Sequence, residues 1–375
     1  MQKSAKSYFA IGLMSGSSLD GLDITYCKYT KEVGSEGQAN WSFELLHAKT
    51  AALKHWELQL AHTAGYSGAE LDKLSRKFAG YMVEELGHFL IEYKIERIDL
   101  VSSHGHTISH HPEIGKTCQI GDGQTMADLL GQTVVNNLRQ KDVDEGGQGA
   151  PIVPIGDKHL FGEHQFCLNI GGIANISIKL LNGLIAFDVC SANQVLNYYA
   201  LKLGCPYDKN GDFAKKGVIN EGLLQQLNAF EYYQKPYPKS LDNSYSKKLI
   251  AKINSVEINP HNALATFTEH IAVQLAKCIE TTKKNLGLNF SKKTSLLVTG
   301  GGAFNSFLLE RCQSYLSIRL HIPSAEIINY KEAIVMGFIG VLRLLEEVNV
   351  LASATGAKRD TSCGDMYNAK LNKLD

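Results

Sequence analysis

The stretch FCLNIGGIANISIKL, residues 166–180, decides the fold that this sequence predicts. It contains an apolar strand, the turn Gly171-Gly172 and a second strand whose side chains alternate in polarity. The opening of the chain repeats this order of strand, glycine turn and strand. An apolar run at 8–14 is followed by a glycine turn, and a further strand is predicted at 22–29. Two hairpins with glycine turns, one in each half, predict a duplicated architecture with a cleft between two lobes.

Strand and helix signals alternate along the rest of the chain. Apolar residues recur at helical spacing over 69–93, 264–286 and 332–348. Patterns typical of buried strands occupy 98–103 and 295–299. This alternation predicts an α/β fold in which helices pack on sheets.

The length of 375 residues favours two domains at about 150 residues per domain. Their expected extents are residues 1–165 plus 332–375 for the N-terminal lobe, and residues 166–331 for the C-terminal lobe. The first lobe would then carry one glycine hairpin, and the second lobe the other.

Charge and hydropathy exclude several classes of protein. Lys plus Arg is 38 and Asp plus Glu is 38, so the chain lacks the basic excess of a nucleic-acid or membrane-surface binder. The N-terminus lacks the apolar core of a signal peptide, and the longest apolar run, 333–342, is too short for a bilayer, which needs about 20 residues. The eight cysteines form no C-x-x-C pair, as expected for free thiols in a reducing compartment. We therefore expect a cytoplasmic protein with neither nucleic acid nor membrane as a partner.

The first glycine turn, GSSLDGLD at residues 16–23, could bind phosphate. Its glycines can expose consecutive N–H groups, and Ser17 and Ser18 add hydroxyl donors, so the turn could hold the β- and γ-phosphates of a nucleotide. A carboxylate beside phosphate needs an intervening cation, and Asp20 or Asp23 could hold magnesium or its waters. An ordinary hairpin turn with Asx caps is the alternative.

A third glycine cluster stands at 300–302, between a predicted strand and a helix that Asn305 could cap. A flat ring or a phosphate could approach the backbone and the helix N-terminus there. The P-loop pattern G-x-x-x-x-G-K-[ST] fails because position 110 is His, and no complete G-x-G-x-x-G follows a strand. A Walker-type ATPase and a Rossmann dehydrogenase are therefore disfavoured.

Four histidines, His104, His106, His110 and His111, lie within eight residues directly after a predicted strand. Imidazole is a common metal ligand, but no H-E-x-x-H pattern accompanies them. A metal site, a polar loop lining a substrate and structural hydrogen bonding all remain open.

Asp142 stands between Arg139 and Lys141 and precedes the run GGQG at 146–149. Charge pairing with these neighbours would keep the carboxylate ionised, and glycines would bring backbone close to whatever it faces. An ionised carboxylate near a polar ligand could act as a general base. A solvated charged loop is the alternative.

Seven strings, in order along the chain, resemble the anhydro-N-acetylmuramic acid kinase family of the actin/hexokinase/Hsp70 ATPase superfamily. They are IGLMSGSSLDGLD (11–23), HGHT (104–107), QIGD (119–122), Asp142 with GGQGAP (146–151), NIGGIAN (169–175), Tyr207-Asp208 with Gly211, and GGGA (300–303) with Asn305. The resemblance implies a two-lobed ribonuclease-H-like or actin-like ATPase fold with a central nucleotide and sugar cleft.

The resemblance also implies a reaction. Such kinases use ATP and water to open 1,6-anhydro-N-acetylmuramic acid and phosphorylate O6, giving N-acetylmuramic acid 6-phosphate and ADP in peptidoglycan recycling. Asp142 matches the family's catalytic aspartate, which would take a proton from the attacking water. Mg²⁺ would screen the phosphates. A homodimer is expected on the same basis.

Two sets of residues follow from the resemblance. The residues expected to bind ATP are Gly16, Ser17, Ser18, Leu19, Asp20, Gly21, Leu22, Asp23, Gly171, Gly172, Gly300, Gly301 and Gly302. The residues expected to bind the sugar are His104, His106, Gln119, Asp122, Gln148 and Asn193. The resemblance assigns no metal ligand.

The chain departs from the family pattern at several points. Ser17 replaces a usual Thr, His106 replaces a Gln, 136–138 lacks a usual acidic residue, and DVCSAN at 188–193 stands where D-T-G-P-G-N is expected. The substrate could therefore be a related sugar, such as levoglucosan or an ordinary amino sugar. A non-catalytic ATP-binding protein is the remaining alternative, although it would not need Asp142.

Overall fold

The computed structural model describes residues 5–16, 19–34, 38–63, 65–181 and 183–370. The chain divides into two compact units. The first unit comprises residues 1–162 and 330–375, and the second comprises residues 163–329.

The first unit is built on a sheet with seven strands among the described residues. These are β1 (Ala5–Ser15), β2 (Leu22–Val33), β3 (Ala39–Ala51), β4 (Leu100–His111), β5 (Lys116–Ile120), β6 (Val134–Asn136) and β12 (Asp365–Tyr367). The order is β12-β6-β4-β1-β2-β3, with β5 paired to β4. Strands β1 to β3 form an antiparallel meander, and β4 and β6 extend it in parallel from β1.

The helices of the first unit are α1 (Trp56–Ala61), α2 (Gly68–Glu92), α3 (Gly123–Leu130), α4 (Gln140–Asp144), α5 (Pro154–His159) and α12 (Ala352–Thr355). Helix α2 begins at a capping box, in which Ser67 and Glu70 satisfy each other's backbone N–H groups. Its apolar stripe, which includes Phe78, Met82 and Phe89, packs into the core against the first sheet.

The second unit has a five-stranded sheet in its described part. Its strands are β7 (Phe166–Ile170), β8 (Ile173–Leu180), β9 (Gly183–Ser191), β10 (Ser295–Thr299) and β11 (Arg319–His321), and its helices are α6 (Asn193–Leu201), α7 (Glu221–Asn228), α8 (Asn243–Asn254), α9 (Pro260–Leu286) and α10 (Ser306–Tyr315). The order is β11-β10-β7-β8-β9. Here too an antiparallel meander is followed by two parallel strands.

Each unit therefore repeats the strand order 3-2-1-4-5, which is that of a ribonuclease-H-like fold. In the first unit this path is β3-β2-β1-β4-β6, and in the second it is β9-β8-β7-β10-β11. The predicted α/β class and the duplicated ribonuclease-H-like architecture are confirmed. The hairpin pattern predicted the duplication because each meander begins with two strands that are neighbours in sequence.

The last long helix, α11 (Ala325–Leu344), packs against strand β1 through glycines. A Cβ at Gly12 would overlap the carbonyl oxygen of Ala333, and one at Gly337 would lie 2.6 Å from the hydroxyl of Tyr29. The helix begins seven residues before the predicted start at residue 332, because polar residues of its first turns break the apolar pattern. No helix within the described residues is long and apolar enough to cross a membrane.

Candidate active site

The first glycine turn connects β1 to β2 in the first unit. Ser17 and Ser18 lie outside the described residues. The turn is closed by the N–H of Leu19, which donates to the carbonyl of Gly16 at 3.2 Å. A Cβ at Gly21 would overlap the side chain of Thr50.

The last two residues of the predicted phosphate segment differ in exposure. Leu22 belongs to β2 and its side chain is fully buried in the core, so it has no surface to offer a ligand. Asp20 is exposed, and Asp23 is half-buried at the beginning of β2.

The carboxylate of Asp23 is held in an environment that disfavours its charge. Burial raises its pKa to about 6, the hydroxyl of Thr50 donates to it at 2.6 Å and opposes the shift, and the charges of Asp20 and Glu332 raise it further. A cation would relieve this repulsion between carboxylates. Within the described residues, no three His, Cys, Asp or Glu side chains converge closely enough to form a metal site by themselves.

The two histidines predicted to bind sugar are both buried. Burial lowers the pKa of His104 to about 3, and its neutral Nε2 accepts from Nε of Arg139 at 2.8 Å. His106 lies within 3.0 Å of the hydroxyl of Ser15 through Nδ1, and burial lowers its pKa as well. Of the three interpretations of the histidine cluster, structural hydrogen bonding describes these two side chains.

The other predicted sugar residues of the first unit lie on β5 and the segments around it. Nε2 of Gln119 donates to the hydroxyl of Thr117 at 2.7 Å, while its Oε1 is buried without a partner among the described residues. Asp122 caps α3 by accepting from the N–H of Thr125 at 2.8 Å. Gln119 and Asp122 are half-buried, whereas Gln148 is exposed.

Asp142 lies on α4 with no exposed surface. One carboxylate oxygen accepts from the hydroxyl of Thr355 at 2.7 Å, and the other accepts from the N–H of Gly149 at 2.8 Å. A general base must come within hydrogen-bond distance of the proton that it removes. Both oxygens of Asp142 accept from donors of the chain itself, so proton transfer from water would require one of these donors to be replaced by water.

The charged sequence neighbours of Asp142 hydrogen-bond to other groups, although the charge of Asp142 raises the pKa of Arg139 against the larger lowering by burial. Nζ of Lys141 donates to the carbonyl of Ser362 at 2.8 Å. The guanidinium of Arg139 donates from Nη1 to the carbonyl of Gly149 at 2.6 Å, besides its bond to His104. Backbone and hydroxyl donors therefore hold the carboxylate, and the flanking cations bond elsewhere.

In the second unit, the turn Gly171-Gly172 joins β7 to β8 and is tied to the start of α6. The carbonyl of Gly171 accepts from the N–H of Asn193 at 3.1 Å, and that of Gly172 accepts from the N–H of Gln194 at 3.2 Å. The first N–H groups of the helix therefore donate to the glycine turn and fix its conformation.

The third glycine cluster ends β10 in a conformation that needs glycine. Gly300 has φ 78°, and a Cβ there would lie 2.5 Å from Oδ1 of Asn169. Gly302 packs directly on Ile170, whereas a Cβ at Gly301 would meet nothing closer than Nδ2 of Asn193 at 3.6 Å. Two glycines shape the turn, and the middle one faces open space.

That space is a cavity of about 480 Å³ in the second unit. It is lined by Asn193, Leu196, Asn197, Tyr207, Asp208, Lys209, Asn210, Gly301, Gly302, Phe304 and Asn305. The structure thus brings the predicted sugar residue Asn193 together with two glycines of the third cluster, which are predicted to bind ATP. The aromatic side chains of Tyr207 and Phe304 are exposed and offer flat apolar surface beside it.

Sequence reasoning did not assign these aromatic residues or a second carboxylate, Asp188. One oxygen of Asp188 accepts from the N–H of Leu241 at 2.8 Å, and no described residue bonds to the other. The side chain is half-buried, and burial raises its pKa. The sequence did offer a signal for Asp188, because this residue begins the segment 188–193. That segment was interpreted only as a departure from a family pattern.

Comparison with known proteins agrees with the motifs. The family model of anhydro-N-acetylmuramic acid kinase matches residues 8–369. The anhydro-N-acetylmuramic acid kinase of Sulfurimonas denitrificans is 31% identical over 96% of this chain and 100% of its own length. That of Shewanella sp. strain W3-18-1 is 30% identical over 97% of this chain and 100% of its own.

Two solved structures show only weak similarity. The activator of 2-hydroxyisocaproyl-CoA dehydratase from Clostridium difficile, with bound ADPNP, aligns with 91% of this chain and 98% of its own at TM-score 0.37 and 13% identity. The ethanolamine utilization protein EutJ from Carboxydothermus hydrogenoformans aligns with 88% of this chain and 89% of its own at TM-score 0.34 and 12% identity. Membership rests instead on the family match and on full-length relatives at about 30% identity: the chain belongs to the anhydro-N-acetylmuramic acid kinase family.

Proposed function

We propose that this protein uses ATP and water to convert 1,6-anhydro-N-acetylmuramic acid into N-acetylmuramic acid 6-phosphate and ADP. The family match over residues 8–369 carries the proposal, because it takes in all three glycine segments. The product would belong to the recycling of peptidoglycan. We also infer a cytoplasmic homodimer, on the family resemblance alone.

The cavity of the second unit supports adenosine binding. Gly301 and Gly302 allow a flat ring to lie against the backbone, and the exposed rings of Tyr207 and Phe304 can stack on a base. The turns at Gly171-Gly172 and at 16–23 are the segments proposed to bind phosphates.

Magnesium fits the carboxylates of the first glycine turn. Asp20 is exposed, and the pKa of Asp23 is raised mainly by burial, with a smaller contribution from like charges that a cation would offset. These two carboxylates would hold the ion or its waters. When bound, the ion would screen the phosphate oxygens.

We assign the general base to Asp142, the residue that matches the catalytic aspartate of the family whose model covers residues 8–369. Water would take the place of one of its two donors, the hydroxyl of Thr355 or the N–H of Gly149. The carboxylate would accept a proton from that water as the water oxygen attacks C1 of the sugar and the C1–O6 bond breaks. O6 would then attack the γ-phosphorus, and the bond from that phosphorus to the β–γ bridging oxygen would break to release ADP.

The test is ADP release by the full-length protein with ATP, Mg²⁺ and one of three sugars. These are 1,6-anhydro-N-acetylmuramic acid, levoglucosan and N-acetylglucosamine, and the product is identified by mass. In H₂¹⁸O, the proposal requires one ¹⁸O at C1 of the product. Turnover of a different sugar would replace the substrate. Nucleotide binding without turnover of any sugar would support a non-catalytic ATP-binding protein instead.

A further inference from the structure

The start of helix α6 contacts both glycine clusters of the second unit. Nδ2 of Asn193 is the nearest atom to a Cβ built on Gly301, at 3.6 Å. The next residue, Gln194, packs on the second glycine turn, because a Cβ built on Gly172 would lie 2.9 Å from its Cγ. Two neighbouring side chains therefore meet the two glycine segments of this unit that are proposed to bind the nucleotide.

Helix α8 holds the side-chain amide of Gln194 through both of its polar atoms. Nε2 of Gln194 donates to Oδ1 of Asn243 at 2.6 Å, and Oε1 accepts from the hydroxyl of Ser246. The hydroxyl of Ser246 also lies 2.9 Å from that of Ser191, the last residue of β9. We call Gln194, Asn243 and Ser246 the amide network.

The amide network and the backbone act on the same turn. The carbonyl of Gly172 accepts from the N–H of Ala192 at 2.9 Å, in addition to its bond from Gln194. Ser246 is 3% exposed and Ser191 is fully buried, so water has little access to replace the glutamine amide on that side. The conformation of the turn therefore depends on where α8 holds Gln194.

We propose that Gln194 is a positioning residue for the nucleotide phosphates. Helix α8 fixes its amide, and its stem fixes the turn Gly171-Gly172 in the conformation that receives phosphate. Gln194 acts through the glycine backbone and not through a contact of its own with the nucleotide. The proposal rests on the proposed function only for the assignment of this turn to the phosphates of ATP.

The test compares Gln194→Met with Gln225→Met in the full chain. Methionine keeps the length and the unbranched stem of glutamine but removes both hydrogen bonds of the amide. Gln225 is the matched control, because it is an exposed glutamine on α7 of the same unit and lies outside the amide network. Asn243→Ala, at an exposed residue, removes one of the two bonds and tests the proposal if Gln194→Met does not fold.

The first readout is binding of ATP by calorimetry, in Mg²⁺ and without sugar, and of adenosine by competition with ATP. Two hydrogen bonds between neutral groups correspond to about a tenfold change in an equilibrium constant. We expect Gln194→Met to weaken ATP binding by about tenfold and Asn243→Ala by about threefold, with Gln225→Met unchanged. Adenosine affinity should stay within about twofold, because adenosine has no phosphate. Equal losses for ATP and adenosine, or unchanged ATP affinity, would overturn the proposal.

The second readout is amide hydrogen exchange without nucleotide. The N–H of Ala192 reports on the turn, because it donates to the carbonyl of Gly172. We expect Gln194→Met to speed its exchange by about tenfold, while Gln225→Met leaves the wild-type rate. A wild-type rate in Gln194→Met would show that the amide network does not fix the turn.

The third readout is steady-state kinetics with 1,6-anhydro-N-acetylmuramic acid. Positioning of the phosphates for binding predicts that Gln194→Met raises the ATP KM by about tenfold and leaves kcat and the sugar KM within about twofold. A loss of kcat at unchanged ATP KM contradicts the proposal. If the wild-type protein binds ATP but turns over no sugar, the proposed reaction is refuted, while ATP binding and exchange still decide the role of Gln194.

Discussion

Replacing Asp142 by Asn distinguishes a structural carboxylate from a catalytic one. The carboxylate is fully buried and accepts one bond from the hydroxyl of Thr355 and one from the N–H of Gly149. An amide has one oxygen, so one of these donors must face an NH₂ group. The substitution hardly changes the volume of the side chain.

The size of the effect follows from these contacts. A hydrogen bond to a charged group contributes about 1.5–3 kcal/mol, and leaving a buried donor unsatisfied costs about 1–3 kcal/mol. Removing the buried charge also removes its desolvation cost, which offsets part of this loss of stability. We expect a net loss of about 2–4 kcal/mol in the free energy of unfolding. For a unit of this size that lowers Tm by about 5–10 °C.

The matched variant is Asp188→Asn, which makes the same chemical change at a half-buried carboxylate. Its Tm should change by less than about 2 °C, because the amide oxygen of Asn can still accept from the N–H of Leu241. Its kcat should stay within about tenfold of the wild-type value, whereas Asp142→Asn should lower kcat by about 10²- to 10⁴-fold, the usual contribution of a general base. Thermal unfolding and ADP release, measured on both variants and on the wild-type protein, give the comparison.

The opposite pattern would refute this reasoning. If Asp142→Asn keeps the wild-type kcat, Asp142 has no part in proton transfer. If Asp188→Asn loses kcat by about 10³-fold, Asp188 is the base instead.

Three further predictions concern the glycine clusters, the acidic turn and the cavity. Gly300→Ala should lower the free energy of unfolding by about 1–3 kcal/mol in denaturant titrations, because φ is 78° and the new Cβ would press on Asn169, whereas Gly301→Ala should change it by less than about 0.5 kcal/mol. Asp23 has a folded-state pKa raised to about 6, so the native protein holds this proton more tightly than the unfolded chain and loses stability as the pH rises from about 4 to 6. Without Mg²⁺, Asp23→Asn should therefore be more stable than the wild-type protein by about 1 kcal/mol near neutral pH and not at about pH 4, and an equal difference at both would contradict the assignment. Phe304→Ala should weaken nucleotide binding by about tenfold in calorimetry with an unchanged Tm, since stacking contributes about 1–3 kcal/mol per base, and unaltered affinity would remove the base from this cavity.

The amino-acid sequence alone was sufficient to predict the fold class and the positions of the glycine turns. A hairpin joins strands that are neighbours in the chain, so 166–180 and the opening strands predicted the meander of each unit. Apolar periodicity likewise reports which face of a helix is buried, and it predicted α2 to within a residue at each end. The boundary of α11 was missed, because the polar first turns of that helix carry no such periodicity.

The roles of individual side chains depended on contacts between distant parts of the chain. Asp142 is separated by 213 residues from Thr355, whose hydroxyl completes its burial, so its neighbours in sequence suggested an ionised base in a charged loop. Asn193 was grouped with the sugar residues, but the start of α6 brings it beside Gly301. Local patterns determine secondary structure because its hydrogen bonds are local. Whether a carboxylate is open to water or held by donors depends on which segments pack around it, and only the tertiary structure decides that.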